Sequence, residues 1–104
     1  MDQRNNVFSS GENREEKPHE LLIQISLGNF SSIEILEKII YKNIMRIVRN
    51  HTYDENESIA LFYTILKQII SNISLYKGKT NKDAWNWINQ ITSIVLSNYH
   101  DGLG

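Results

Sequence analysis

The chain contains no cysteine among its 104 residues. Disulfide bridges, thiolate nucleophiles and cysteine-based zinc sites are therefore excluded, which fits a reducing compartment such as the cytoplasm. Pro18 is the single proline and there are only five glycines, so long stretches lack residues that interrupt a helix. No apolar run approaches the roughly 20 residues that a membrane-spanning helix needs, and residues 1–17 lack the apolar core of a secretory signal. We therefore expect a soluble, cytoplasmic domain.

A clear excess of charge of either sign is also missing. The 11 basic and 12 acidic residues give a formal net charge of −1. Nucleic-acid-binding proteins usually carry a basic excess, because neutralising phosphates supplies much of their affinity. The composition therefore argues against nucleic acid as a partner. The chain length suits one domain. A domain of this size buries roughly 60% or more of the surface that the unfolded chain exposes, which is enough to form one core.

Apolar residues recur at steps of three and four along most of the chain, which is the spacing of amphipathic helices. The pattern predicts helices over residues 13–27, 32–50, 54–76 and 81–97, after a disordered polar segment at residues 1–12 and before a tail at residues 99–104. Pro18 could mark the true start of the first helix, because proline is favoured in the first helical turn. Gly28 suits the left-handed conformation that ends a helix.

Each predicted helix carries an apolar face, and together these faces should form the core. The residues on them are Leu21, Leu22, Ile25, Leu27, Ile33, Leu36, Ile39, Ile40, Ile44, Ile47, Val48, Ile59, Leu61, Phe62, Ile65, Leu66, Ile69, Ile70, Ile73, Tyr76, Ala84, Trp85, Ile88, Ile91 and Val95. Short links between amphipathic helices favour antiparallel neighbours. We therefore predict one all-α domain, residues 13–104, folded as an antiparallel, up-down, left-handed four-helix bundle.

Capping signals support the predicted helix starts. In a capping box, a hydroxyl or carboxylate at the helix start and an acidic side chain three residues later each accept a hydrogen bond from a free backbone N–H. The pairs with this spacing are Ser31–Glu34, Thr52–Glu55, Asp54–Glu57 and Thr80–Asp83.

The sequence carries no recognisable catalytic motif. A Ser–His–Asp set, a phosphate-binding loop, a glycine-rich dinucleotide turn and a paired-carboxylate motif are all missing. His19, His51 and His100 lie near helix ends or in the tail without metal-ligand spacing, so we interpret them as solvent-exposed and predict no metal site. The acidic segment Asp54–Glu57 lacks the glycine of a calcium loop and is better explained as helix capping. We predict no cofactor and no enzymatic activity.

Two groups of basic residues are candidate contact surfaces. One lies along the second helix, opposite its isoleucine face, and the other lies around the link between the third and fourth helices. They consist of Lys38, Lys42, Arg46 and Arg49, and of Lys77, Lys79 and Lys82. Each could be ordinary solvated surface, or could contact an acidic partner, a lipid headgroup or nucleic acid. No aromatic interleaving supports nucleic acid.

Two tryptophans stand close together in the fourth predicted helix. Trp85 and Trp87 are separated by about 200° around a helix, so they cannot both point into one core. We expect one to pack inside and the other to lie nearer the surface. The outer one could be a binding anchor or could be covered by Tyr99 and Leu103; the sequence leaves both possibilities open.

The order of short motifs resembles a known family. These motifs are His19–Leu22 (His-Glu-Leu-Leu), Ile25–Leu27, Ile35–Glu37 opening the long second helix, Tyr53–Asp54 near its end, the link Lys77–Thr80, and the closing Gly102–Leu103. In this layout the chain from Pro18 to Gly104 resembles the enterocin A immunity family, the immunity proteins of pediocin-like (class IIa) bacteriocins.

The resemblance implies a cytosolic, non-catalytic four-helix bundle that protects the producing cell from its own bacteriocin. It further implies binding at the membrane sugar-phosphotransferase permease that the bacteriocin targets, so that the pore stays blocked, with specificity towards the C-terminal half. The partner-binding candidates are then Trp85, Trp87, Tyr99, Leu103, Lys77, Lys79 and Lys82. The basic residues, including Lys38, Lys42, Arg46 and Arg49, could favour peripheral contact with an anionic membrane face. We expect a monomer.

Two other interpretations stay open at this point. A small helical regulatory or antitoxin-like module would bind a protein partner through its isoleucine-rich or tryptophan-bearing surface. A helical nucleic-acid-binding protein would use the basic residues of the second helix, and absence of a gel shift even at low salt would exclude it.

Overall fold

The computed structural model describes residues 17–103, and within this range the chain is helical without a β-strand. It forms α1 (His19–Ser26), α2 (Ser31–Val48), α3 (Glu55–Ser71), a short 3₁₀ turn (Ile73–Leu75) and α4 (Asn81–Leu103). The predicted disordered segment, residues 1–12, lies outside the described residues.

The four described helices pack around one shared core. α1 contacts α2 and α4, and α3 also contacts α2 and α4, so each helix has two main neighbours. The short links at residues 27–30 and 49–54 bring consecutive helices back alongside each other in antiparallel fashion. The all-α, antiparallel four-helix bundle is therefore confirmed, while its left-handed sense stays a prediction.

Most of the core consists of the apolar faces that the three-four spacing predicts, and Met45 and Leu96 add to it without having been predicted. Phe62 lies at its centre, fully buried, with edge-on contacts to Tyr41 and Tyr63 at ring-centroid distances of 4.9 and 5.0 Å. The other side chains with no exposed surface are Leu22, Leu36, Ile40, Ile44, Met45, Val48, Ile65, Ile69, Ala84 and Ile88. The assignment of Leu27 to this core was wrong: its side chain is 80% exposed, because α1 ends at Ser26 and Gly28 turns the chain with φ +95°.

Three predicted helix boundaries were wrong. Lys17 and Pro18 are not helical, and α1 begins at His19 with Pro18 at its N-cap, so the start at residue 13 was wrong and the alternative, that Pro18 marks the start, is confirmed. α3 ends at Ser71, five residues before the predicted limit, because the chain tightens into the 3₁₀ turn and then extends at Tyr76. The predicted tail is helical through residue 103, where Tyr99 contacts Glu57 of α3 and His100 contacts His51 of the α2–α3 link.

The capping predictions had mixed outcomes. The Thr80–Asp83 box is confirmed: Asp83 N–H donates to Thr80 Oγ1 at 3.1 Å, and Thr80 N–H donates to Asp83 Oδ2 at 3.2 Å. The Ser31–Glu34 box was wrong, because Phe30 occupies the N-cap position of α2 and the Ser31 hydroxyl donates to Asn29 Oδ1 instead.

At the start of α3, Asp54 is the N-cap and its carboxylate accepts from Asn56 N–H at 2.9 Å. Neither predicted box forms there as a reciprocal pair. The Glu57 carboxylate accepts from the Thr52 and Tyr99 hydroxyls, and Glu55 pairs with Arg49. Asp54 therefore caps its own helix, while Glu55 and Glu57 connect α3 to neighbouring segments.

Candidate partner-binding surface

The buried Tyr76 packs beneath Trp87, one of the predicted partner-binding residues. Tyr76, only 7% exposed, lies in the extended segment after the 3₁₀ turn. Its hydroxyl is 2.6 Å from Nδ1 of His19 in α1, and its ring is 5.2 Å from the ring of Trp87 in α4. Burial, followed by the negative charge of Asp83, raises the pKa of Tyr76. Trp87 therefore rests on a side chain that is itself held in place by α1.

A groove runs between α3 and α4 and encloses about 640 Å³. We call it the α3–α4 groove. Its lining residues are Leu61, Thr64, Gln68, Asn72, Leu75, Trp87, Gln90, Ile91, Ile94, Val95, Asn98 and Tyr99. Apolar side chains form its floor, while amide and hydroxyl side chains of both helices stand along it, which is the polar-rimmed arrangement typical of protein-interaction surfaces.

Two large apolar side chains beside the groove are turned to solvent. Leu75 is 64% exposed and Ile94 is 60% exposed, and both lie next to the half-buried Trp87. With Trp87 they form a ridge, because the same residues also line a second, wider depression of about 1220 Å³ on their other side. Lys77 and Lys79 line that second depression. Asp83 lines it as well, so an apolar ridge beside two lysines and one aspartate is available to a partner.

The structure brings together part of the predicted partner-binding set. Trp87 and Tyr99 line the α3–α4 groove, and Lys77 and Lys79 line the neighbouring depression. Trp85 and Lys82 do not line these two depressions: Trp85 packs against the core, and Lys82 is exposed in the first turn of α4. Leu103 is the last residue of α4.

The expectation of one inner and one outer tryptophan was wrong. Trp85 and Trp87 are both half-buried and both pack against the core. Because α4 has neighbours on two sides, α1 and α3, side chains about 200° apart on it can each be partly covered. Tyr99 lies in the same groove as Trp87.

The two most exposed apolar residues of this surface, Leu75 and Ile94, were not among the predicted partner-binding residues, although the sequence places Ile94 with Trp87 on the second flank of the fourth helix. A signal for Ile94 was present, since Trp87, Ile91 and Ile94 follow i, i+4, i+7 spacing and mark a second apolar stripe on α4. Leu75 carried no such signal, because its exposure depends on where α3 gives way to the 3₁₀ turn.

The basic residues of α2, and Arg49 directly after its last residue, lie apart from the groove. No residue of α2 lines that groove. Lys38, Lys42, Arg46 and Arg49 are all exposed. Arg49 Nε and Nη2 donate to the two carboxylate oxygens of Glu55 at 3.1 and 2.7 Å. This pairing raises the pKa of Arg49 and lowers the pKa of Glu55. The positive charge of Arg49 is thus balanced within the fold, and the other three remain as the basic surface.

A second apolar patch lies at the turn between α1 and α2. Leu27, Phe30 and Ile35 are 80%, 67% and 43% exposed. None of them lines the α3–α4 groove. Across residues 17–103 no helix is both long and apolar enough to cross a membrane.

The sequence matches no known family model, and neither curated proteins nor solved structures show a significant similarity to it.

Proposed function

We propose that the protein is a bacteriocin immunity protein that protects the cell producing it, acting by binding and not by catalysis. The observation that carries the proposal is the exposed ridge of Leu75, Trp87 and Ile94 beside the α3–α4 groove. It lies in the C-terminal half, where the resemblance to the enterocin A immunity family locates specificity. The helical bundle architecture agrees with the same resemblance.

The proposed partner is the membrane sugar-phosphotransferase permease with its bound bacteriocin. Large apolar side chains in exposed positions are a typical site for a helix of a partner protein. Lys77 and Lys79 at one end of the ridge would face the anionic inner leaflet, where each basic residue near the surface adds about 1 kcal/mol of attraction. The protein would thus work in the cytoplasm, in part at the inner face of the membrane.

The proposal is tested by expressing the chain in a strain sensitive to class IIa bacteriocins and measuring the inhibitory concentration of a broad panel. We expect protection against at least one member of the panel. The double variant Leu75→Asp, Ile94→Asp should lose most of that protection, at least about tenfold, because charge in the centre of an interface is strongly unfavourable. Both side chains are largely exposed, so the stability of the isolated protein should change by only about 0.5 kcal/mol per site.

Tyr53→Asp is the matched control. Tyr53 is fully exposed in the α2–α3 link and does not line the groove, so this variant should protect like the unchanged protein. Equal expression and helix content of all three chains are checked by immunoblot and circular dichroism. Absence of protection against every bacteriocin in the panel would overturn the proposal. A stoichiometric soluble partner, lost in the double variant, would instead favour the regulatory or antitoxin-like module.

A further inference from the structure

Two histidines that are far apart in sequence meet at one end of the bundle. His51 Nδ1 and His100 Nε2 are 2.8 Å apart, although 49 positions separate the two residues. Both side chains are exposed. Local spacing does not reveal this pair, because histidines at ordinary metal-ligand spacing lie within a few residues of each other on one element.

The backbone on both sides of the pair is fixed. His51 N–H donates to Val48 O at 2.9 Å, in the turn that closes α2. His100 belongs to α4, and the neighbouring Tyr99 hydroxyl donates to Glu57 Oε1 at 2.8 Å. The rings of Tyr99 and His100 are in edge contact at 5.5 Å. The two imidazoles are therefore brought together by the fold and not by free side-chain motion alone.

The geometry suits a shared metal ion. A neutral imidazole has one nitrogen with a free lone pair, and only one proton can lie between two such nitrogens. The ring centroids of His51 and His100 are 5.0 Å apart, so the two nitrogens lie close to the line joining the rings and face each other at hydrogen-bonding distance. An ion bound at about 2.0–2.1 Å from each nitrogen needs them about 2.9 Å apart for a right angle and about 3.4 Å apart for the tetrahedral angle. The observed separation of 2.8 Å is slightly shorter than both.

We propose that His51 and His100 form a binding site for a divalent transition-metal ion of the Zn²⁺, Ni²⁺ or Cu²⁺ class. The ion is bound by His51 Nδ1 and His100 Nε2, and each ring keeps its single proton on its outward-facing nitrogen. Imidazole nitrogen is a preferred ligand of these ions. Modest pivoting of the exposed rings separates the two nitrogens enough to admit the ion between them.

The position where the ion would lie borders a surface cavity with both apolar and polar side chains in its lining. A surface cavity of about 340 Å³ is lined by both histidines together with Ile47, Asn89, Thr92, Ser93, Leu96 and Ser97. Within the described part of the chain, no group of three or more His, Asp or Glu side chains is placed to hold a metal. The remaining coordination positions are therefore filled by water, which the cavity can accommodate and the polar side chains can bind.

Binding would connect the α2–α3 link to the last turn of α4. An ion that binds only the folded chain shifts the unfolding equilibrium towards the folded state. We therefore expect the melting temperature to rise when Zn²⁺ or Ni²⁺ is added to the metal-free protein. This effect does not depend on the proposed immunity function.

The test uses the full chain without an affinity tag and titrates it with Zn²⁺, Ni²⁺ and Cu²⁺ by isothermal titration calorimetry. We expect saturable binding of one ion per chain for at least one of these metals. His51→Gln and His100→Gln should each weaken it by at least about tenfold, since each removes one of two protein ligands. His19→Gln is the matched control and should bind as the unchanged protein does, because His19 lies against Tyr76 in α1.

Ring-nitrogen NMR of the unchanged protein gives an answer that does not depend on how the variants fold. Diamagnetic Zn²⁺ should shift the resonances of His51 Nδ1 and His100 Nε2 selectively. The proposal is overturned if no metal saturates the protein at about 1 mM, if the double variant His51→Gln, His100→Gln binds as tightly as the original chain, or if the ring nitrogens of the pair do not respond.

Discussion

His19 and Tyr76 are joined by a hydrogen bond of 2.6 Å between Nδ1 and the phenolic oxygen, although 57 positions separate them in sequence. The backbone N–H of His19 also donates to Asn81 Oδ1 at 3.0 Å. The first turn of α1 is thus hydrogen-bonded both to the segment that follows α3 and to the start of α4. Since the Tyr76 ring lies against Trp87, this contact connects the stability of the bundle to the shape of the proposed partner surface.

Removing the Tyr76 hydroxyl should weaken the bundle. Tyr76→Phe leaves the half-buried His19 nitrogen without its partner, so we expect the free energy of unfolding to fall by about 1 kcal/mol in urea denaturation. Tyr63→Phe is the control: its hydroxyl bonds Glu37 at 2.7 Å on an exposed surface, where water can replace the lost partner. If the free energy of unfolding falls equally in both variants, the hydrogen bond between Tyr76 and His19 stabilises the fold no more than an exposed one does.

Gly78 should tolerate no side chain. A Cβ atom there would lie 2.6 Å from Cε1 and Cζ of Tyr76, and the buried tyrosine has little room to move. We therefore expect Gly78→Ala to lower the free energy of unfolding by about 1–3 kcal/mol, the usual cost of overpacking.

Gly102→Ala is the matched control for Gly78→Ala. A Cβ at this position in the last turn of α4 meets nothing within 4 Å, and alanine favours the helix by up to about 1 kcal/mol. The substitution should therefore be neutral or stabilising. If Gly78→Ala behaves in the same way, the close approach of Gly78 to the Tyr76 ring is refuted.

Glu57 should make stability depend on pH. Hydrogen bonds from Thr52 and then Tyr99 lower the pKa of its carboxyl from the ordinary value of 4.5. A carboxyl whose pKa is lower in the folded state stabilises the fold above its unfolded pKa, and the contribution is lost as the pH falls through the folded pKa. We therefore expect stability to decline below about pH 4.5, and Glu57→Gln to flatten that part of the profile. Urea midpoints across the acid range measure it.

The same site offers a second variant. Tyr99→Phe removes one of the two donors, so the pKa of Glu57, followed by carboxyl-carbon NMR, should move back towards its ordinary value. Tyr53→Phe removes a hydroxyl from a fully exposed tyrosine and should leave the Glu57 titration unchanged. If the Glu57 pKa is the same in Tyr99→Phe as in the original chain, the tertiary contact between α3 and α4 is not formed in solution.

Local chemistry was enough to predict much of the fold. Repeated apolar spacing located the buried faces, as at Leu36, Ile40 and Ile44, because a helix with one apolar stripe has few ways to bury it. The Thr80–Asp83 box was predictable because both partners lie within one turn of the same helix. The helical last turn of α4 was not, since there Tyr99 contacts Glu57 of α3 and His100 contacts His51 of the distant α2–α3 link.

The candidate site was predictable only in part. Trp87 and the nearby lysines stood out by residue type, and the structure does place Trp87 in the α3–α4 groove with Tyr99. Leu75 depends on the exact end of α3, and a boundary error of a few residues reverses the direction in which such a side chain points. The pairing of His51 with His100 depends on packing between separate elements, which local spacing cannot reveal.

Site-specific crosslinking tests the central claim, that the Leu75, Trp87 and Ile94 ridge is the surface through which the protein acts. A photoreactive amino acid replaces Ile94 in cells that carry the permease and are exposed to a bacteriocin of the protective panel, and a second chain carries it at Tyr53. We predict a crosslink to the permease from position 94 and none from position 53. A permease crosslink from position 53 alone, or none from position 94 in cells that are protected, would contradict the account.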